Sequence, residues 1–493
     1  MSRPEAYDVL IIGGGSAALE AAISAREAGA ERVVCLEKAP EPEFGGNARY
    51  SHVGFRFVHT GAEEVRGFIP QLDEPTFQKM HIPAYTKELF QADLARVTQN
   101  RIDPVLANCL VDNSNEAVHW MQKIGVPWET EKTVTVGDKL YFEVGRNLHP
   151  IGGGIGLLTK LREIALSHGI EIRYETKVTA VYGNDRKVEG VRVSTADGEQ
   201  DISARAIICC SGGFQANAEM RARYLGANAD LIKVRGSKHN TGEVLHMMLG
   251  IGAKAAGHWQ GAHMTPIDGN APAVETPIME GGKGNSMNRY DYPYGITVNA
   301  HGVRFYDEGE DQHSYTYAKT GRAVLNEPGG VAYQLYDQQA LKMFRHGAAY
   351  QATMVEAPTI RELAKKINVE PDVLVQTVEQ FNKACRSDVP FDARKLDGKC
   401  TDGITPRKSN WAVPLTEGPF RAYPITAGIT FTFGGLQLDT KSRVLNTSLQ
   451  PIRGLYASGD VVGLFFHNYP SCTGQTRNAV FSMMAGRNAV AMN

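Results

Sequence analysis

Val9-Leu10-Ile11-Ile12 is a continuous apolar run, followed directly by Gly13-Gly14-Gly15-Ser16-Ala17-Ala18 and an alanine-rich stretch to about Ala28. A short run apolar on both faces reads as a strand of parallel sheet, and the stretch after it reads as a helix. The Gly13-x-Gly15-x-x-Ala18 spacing between them predicts a dinucleotide-binding turn. The first glycine makes the tight turn, the second admits a pyrophosphate to the helix N-terminus, and the small third residue lets helix pack on strand. Arg32–Leu36 is the expected second strand, and Glu37 at its end is placed to accept from a ribose hydroxyl. This βαβ opening sets the expected class as α/β.

The chain of 493 residues is long enough for two or three domains. Apolar residues at 42% and charged residues at 22% exclude a disordered tail, a disulfide mini-scaffold and a coiled-coil rod. The net charge of 52 − 54 = −2 offers no nucleic-acid surface. Seven cysteines without C-x-x-C spacing predict neither a disulfide framework nor a zinc site. Met1–Tyr7 lacks a basic signal-peptide region, and no apolar run approaches a membrane span of ~20 residues, so a cytoplasmic location is expected.

Tyr85–Ile124 reads as helical with a boundary at Pro104, and residues 170–210 as short strands joined by turns. From His258 to Thr430 the chain is richer in Pro, Tyr and His and loses its βαβ rhythm. Strand-and-turn grammar returns after Phe431 and ends in a helix over about Thr476–Met492. The expected architecture is therefore a Rossmann-like nucleotide-binding domain, βαβ plus β-meander, over 1–257 and 431–493. A separate inserted domain over 258–430 interrupts it.

FAD is favoured over NAD by two further features. Gly45-Gly46-Asn47 lets backbone approach the cofactor beyond the second strand, and Asp460 after Gly459 can bind its ribityl chain. Cys209-Cys210-Ser211-Gly212-Gly213-Phe214 closes the strand block in the same idiom. Gly152–Gly156 reads as a close approach to the adenine side, with a helix N-cap as the alternative. No second dinucleotide fingerprint is visible, so NAD(P)H is not the expected electron donor or acceptor.

Together with Gly302–Gly309, Tyr315–Lys319, Thr430–Leu436 and His467–Pro470, these segments resemble one flavoprotein family. It comprises fumarate reductases, succinate dehydrogenases, 3-ketosteroid dehydrogenases and tricarballylate dehydrogenases, and the resemblance is strongest to the last. It spans nearly the whole chain and implies a Rossmann-like FAD-binding domain, 1–257 and 431–493, interrupted by an α+β capping domain, 258–430. The resemblance implies FAD held non-covalently, because Pro42-Glu43-Phe44 stands where a flavin-linking histidine would precede the glycine pair. The expected cofactor contacts are Gly13, Gly15, Ser16, Ala17, Glu37, Lys38, Gly45, Gly46, Asn47, Val178, Gly212, Gly459, Asp460, Ala479 and Val480.

The fumarate reductases act through two histidines and two arginines. The first histidine maps onto His263, the second onto Phe431, and the proton-donating arginine onto Gln312. The second arginine falls near Gly474, with Arg477 the nearest cation. These departures imply a related substrate and a different proton-transfer group. His263, His313, Tyr315, His467, Tyr469 and Arg477 are the catalytic candidates. Arg289, Arg304, Thr430 and Thr432 are the substrate-binding candidates, with Arg304 also read as an ion-pair partner of Asp307 or Glu308. Glu308–Asp311 is expected to be a solvated acidic turn and no metal is expected.

The implied function is desaturation of a C–C bond next to a carboxylate, tricarballylate to cis-aconitate. Electrons would pass to an iron–sulfur or haem protein in the membrane. The alternatives are an enoate reductase, a 3-ketosteroid-type desaturase, and, in another class, a flavin-binding electron-relay subunit without substrate chemistry. Converging arginines would favour carboxylates, whereas a tyrosine in an apolar cap pocket would favour a ring ketone.

Overall fold

The computed structural model describes residues 5–130, 134–279, 285–344 and 353–491. Glu5–Ile12 forms the centre of an eight-stranded sheet, parallel to Val33–Leu36 on one side and to Gly198–Cys209 on the other. Glu171–Arg173 extends it beyond Val33–Leu36. Besides Glu5–Ile12, Gly198–Cys209 serves two further neighbours. Its first half runs antiparallel to Val188–Thr195, which pairs with Lys177–Gly183 as the expected meander. Its last three residues pair in parallel with Leu455–Ala457, so chain from near the C-terminus enters the sheet one strand away from the opening strand.

The first helix, Ser16–Glu27, lies against the C-terminal helix, Thr473–Ala491, and small residues make the crossing close. A Cβ added at Gly486 would stand 2.6 Å from the carbonyl oxygen of Ala21. Ser482 Oγ donates to Ala17 O at 2.9 Å, and Ser24 Oγ to Met483 O at 2.7 Å. The C-terminal helix starts at Thr473, three residues ahead of the expected position; Met492 lies outside the described residues, as do Met1–Pro4. Pro104 is the first residue of the helix Pro104–Lys123, whose Asp103 cap accepts from Val105 and Leu106 N–H.

A second, six-stranded sheet carries the cap. Ala255–Asp268 runs antiparallel to the long strand Phe420–Leu436, which also pairs with Val331–Tyr336, Val355–Ala357 and Lys233–Val234. Both long strands cross the expected boundaries at 257/258 and 430/431 without a break. The apolar cores do divide: Ile296, Leu335, Leu363, Leu374 and Phe381 form a cluster apart from the main core that contains Met264, Ile429 and Phe431. The two parts therefore share strands and separate their cores partway along them.

Pairing between the long strands is interrupted where the parts meet. Ala262 faces Thr432 and Met264 faces Ile429, leaving Thr430 and Phe431 opposite the single residue His263. One extra residue on one strand is a β-bulge, which bends the strand and re-aims side chains. No helix among the described residues is long and apolar enough to cross a membrane.

Candidate active site

The opening turn is built by close approach. Gly13 has φ +126°, and a Cβ there would stand 2.5 Å from Cys210 O; one at Gly14 would stand 2.7 Å from Glu37 Oε2. Gly15 precedes the first helix without a side-chain cap, and no acidic residue occupies its first turn. Unpaired helix N–H groups and the positive end of the helix dipole are thereby left for an anion. Glu37 is buried and accepts from Ala39 N–H at 2.7 Å. Burial raises its pKa, with hydrogen bonds from Ala39 and Gly14 opposing the rise.

These residues border a cavity of about 370 Å³ that also takes in Gly45, Gly46, Val178, Gly212 and Gly459. The size suits a deep ligand site. Gly45 (φ +107°) packs against Leu158, and Asn47 Oδ1 accepts from Ser237 N–H at 3.0 Å and from Asn240 at 2.9 Å. Asn47 thus ties the glycine pair to the segment that begins at Arg235. Gly152–Gly156 does not border the cavity, which corrects the expected approach to the adenine side. Gly152 caps the helix Gly153–Ser167 in a left-handed conformation, and a Cβ at Gly154 would fall 1.8 Å from Ala48 O. The segment supports the glycine-pair loop from behind.

At its other end the cavity meets His263, His313, Tyr317, Tyr290, Phe431 and Tyr469. His263 is 3% exposed; its Nδ1 lies 3.5 Å from Tyr469 Oη, and its Nε2 has no hydrogen-bond partner among the described residues. Tyr469 Oη and Tyr317 Oη share a hydrogen bond of 2.5 Å. Burial, reinforced by the Arg235 charge, holds the His263 pKa well below the usual range, so the ring is neutral. Burial raises both tyrosine pKa values, so these phenols stay protonated.

Several candidates are not where the sequence pattern put them. Tyr315 points away from the cavity and donates to Asp93 Oδ2 at 2.9 Å beside the buried Arg56. The helix His313–Leu325 presents His313 and Tyr317, four residues apart, on one face, whereas Tyr315 falls on another. His467 also lies outside the cavity, with φ +57° and its N–H on His258 Nδ1. Arg289 is buried in an ion pair with Asp268, and Arg304 in a two-point pair with Glu308; neither borders the cavity. Glu308 is therefore buried and not part of a solvated turn.

Thr432 likewise lies off the cavity, turned by the bulge to accept from Phe214 N–H at 3.4 Å, while Thr430 borders it. Ala479 and Val480 are buried in the C-terminal helix away from the cavity. Arg477 and Asp460 do border it, but as an ion pair, with the guanidinium over the rings of Phe431 and Phe465. Lys38 borders it too, tied to Thr241 at 2.5 Å and to Glu243 at 3.0 Å.

Sequence reasoning missed Arg235, Tyr290, Tyr317 and Asn288, all on the cavity wall. The His313/Tyr317 spacing was a readable signal for Tyr317. Arg235 left none, since its hydrogen-bond partner Thr430 is 195 residues away.

The sequence matches the FAD binding domain family over residues 8–475. The NADH:fumarate oxidoreductase of Klebsiella pneumoniae (strain 342) is 28% identical over 470 residues, covering 94% of this chain and 45% of that protein. The chain thus spans less than half of that relative. A fumarate reductase (cytochrome) of Shewanella frigidimarina is 30% identical over 472 residues, covering 93% of this chain and 72% of the relative. The open conformation of a flavocytochrome c3 fumarate reductase superposes with a TM-score of 0.73 at 26% identity, covering 100% of this chain and 79% of that one. The glycine cradle, uncapped helix start and buried Glu37 fit the dinucleotide this family binds.

Proposed function

Because the chain belongs to the FAD binding domain family and is an FAD-dependent oxidoreductase, we propose that it desaturates a C–C bond next to a carboxylate, with tricarballylate-to-cis-aconitate as the leading candidate. FAD, when bound, supplies the two-electron acceptor for this chemistry. The observation that carries the direction is His263, buried, neutral and with Nε2 unpartnered among the described residues. Desaturation requires a group that accepts the α-proton, and a neutral imidazole does so near neutral pH. With the proton on Nδ1, His263 donates to Tyr469, Tyr469 donates to Tyr317, and Nε2 is left as the base. Phe431 and the tyrosine rings keep water from it.

The FAD is proposed to be non-covalent, and the electron acceptor a separate iron–sulfur or haem protein, since no second dinucleotide fingerprint occurs in the sequence. An enoate (fumarate-like) reductase fits the relatives at least as well, and Gln312 in place of the proton-donating arginine is the observation against it. A ring-ketone desaturase is the second reading, favoured by the Tyr317–Tyr469 phenol pair, which can polarise a carbonyl oxygen.

The test is anaerobic mixing of FAD-loaded protein with tricarballylate, succinate and a cyclic ketone while flavin absorbance is followed. Rapid bleaching by tricarballylate is expected. Bleaching by the ketone alone supports the second reading. A flavin that no small organic substrate bleaches refutes both; reoxidation of the reduced flavin by fumarate or cis-aconitate then favours the enoate reductase, and its absence the relay subunit.

A further inference from the structure

One charged group on the cavity wall has no part in this chemistry: the guanidinium of Arg235. It follows the short strand Lys233–Val234, and its N–H donates to Ile429 O at 2.8 Å. The residue is 8% exposed. Nε donates to Asn288 Oδ1 at 2.7 Å and Nη1 to Thr430 Oγ1 at 2.6 Å, both neutral acceptors. Other deeply buried arginines are neutralised or saturated. Arg477 has Asp460, Arg289 has Asp268, Arg304 has Glu308, and Arg221 donates to four backbone carbonyls. Among the described residues Arg235 has no carboxylate partner, and no hydrogen bond engages its Nη2.

An uncompensated buried charge is costly unless a counter-charge arrives. The planar fork matches a carboxylate at two points, and Asn288 and Thr430 hold it in orientation before any ligand binds. We propose that Arg235, positioned by Asn288 and Thr430, is the carboxylate anchor of this cavity and makes the enzyme selective for anionic over neutral substrates. This rests on the functional reading above and names the residue that binds the acid. Seating an anion on Arg235 also offsets the positive charge beside His263, so anchoring the substrate strengthens the base that acts on it.

The test uses FAD-loaded wild type, Arg235→Gln and Arg235→Lys, titrated with cis-aconitate, fumarate and trimethyl cis-aconitate under flavin absorbance. None of these ligands can bleach an oxidised flavin. The glutamine variant is expected to bind the acids about tenfold to a hundredfold more weakly, with ester affinity and FAD content unchanged. The lysine variant is expected to recover part of the loss. Acid affinity unchanged in Arg235→Gln overturns the proposal and leaves the functional reading intact. Lost FAD, or equal weakening of acid and ester, also overturns it, by making Arg235 a cofactor or structural residue. A wild-type flavin perturbed by none of the acids overturns both.

Discussion

Tyr317→Phe removes one oxygen from a buried polar contact of the cavity. Tyr317 and Tyr469 are both buried, and their 2.5 Å bond forms where neither hydroxyl is replaced readily by water. Without it, the Tyr469 hydroxyl keeps, among the described residues, only the 3.5 Å contact to His263, which is long for a hydrogen bond. A buried hydroxyl left unsatisfied costs about 1–3 kcal/mol, whereas removing both partners is nearly neutral. Tyr317→Phe should therefore lower stability by about 1–3 kcal/mol. Tyr317→Phe combined with Tyr469→Phe should be less unstable than the sum of the single changes, with a coupling of at least about 0.5 kcal/mol. In catalysis, His263 loses the chain that fixes its tautomer. General base catalysis is worth about 10²- to 10⁴-fold, so the single variant should bleach at least about tenfold more slowly at saturating tricarballylate. The assay pairs thermal unfolding of the FAD-loaded variants with stopped-flow bleaching. Additive stability losses together with a bleaching rate within about threefold of wild type would falsify the phenol-pair account.

Glu308→Gln leaves Arg304 buried without its counter-charge and should cost about 3–5 kcal/mol of stability, with cis-aconitate affinity unchanged; an affinity loss without destabilisation would restore Arg304 as a substrate residue. Gly154→Ala drives a Cβ to within 1.8 Å of Ala48 O, a backbone atom that cannot turn aside, so the glycine-pair loop must shift. The FAD:protein ratio after gel filtration should fall, and an unchanged ratio would show that this helix does not position the loop. Stability should also fall as pH drops from about 6.5, the unfolded histidine value, toward about 4, where burial holds the pKa of His59 and, with nearby positive charges, that of His258. In that window the unfolded chain binds protons that these folded histidines refuse, so the slope of stability with pH is positive. His59→Gln should flatten that slope in unfolding measured across the window; an unaltered slope would remove His59 from the account.

The cofactor end of the molecule was legible because its signals are local. Gly13, Gly15 and Glu37 act within one βαβ unit, and their chemistry is that of backbone and helix terminus, which spacing alone specifies. The cap end was legible only in part. His263, His313, Tyr469 and Thr430 reach the cavity, but Tyr315 lies on a helix whose inward face belongs to His313 and Tyr317. Thr432 follows Thr430 by two, which in a regular strand gives both the same face, and the bulge opposite His263 breaks that rule. His467 sits in a strained turn against His258, which residue order does not disclose.

Sequence by itself determined the dinucleotide turn, the parallel sheet around it and the return of the C-terminal segment to the same cofactor. Each depends on short-range periodicity and on glycine where backbone approaches closely. Tertiary structure decided which charges remain available to a substrate. Arg289, Arg304 and Arg235 look alike along the chain, yet Asp268 and Glu308 neutralise the first two, while Asn288 and Thr430 orient the third without neutralising it. The neutral contacts that orient Arg235 join residues as far apart in sequence as 235 and 430, so they are fixed only when the chain at Lys233–Val234 pairs with the long strand Phe420–Leu436.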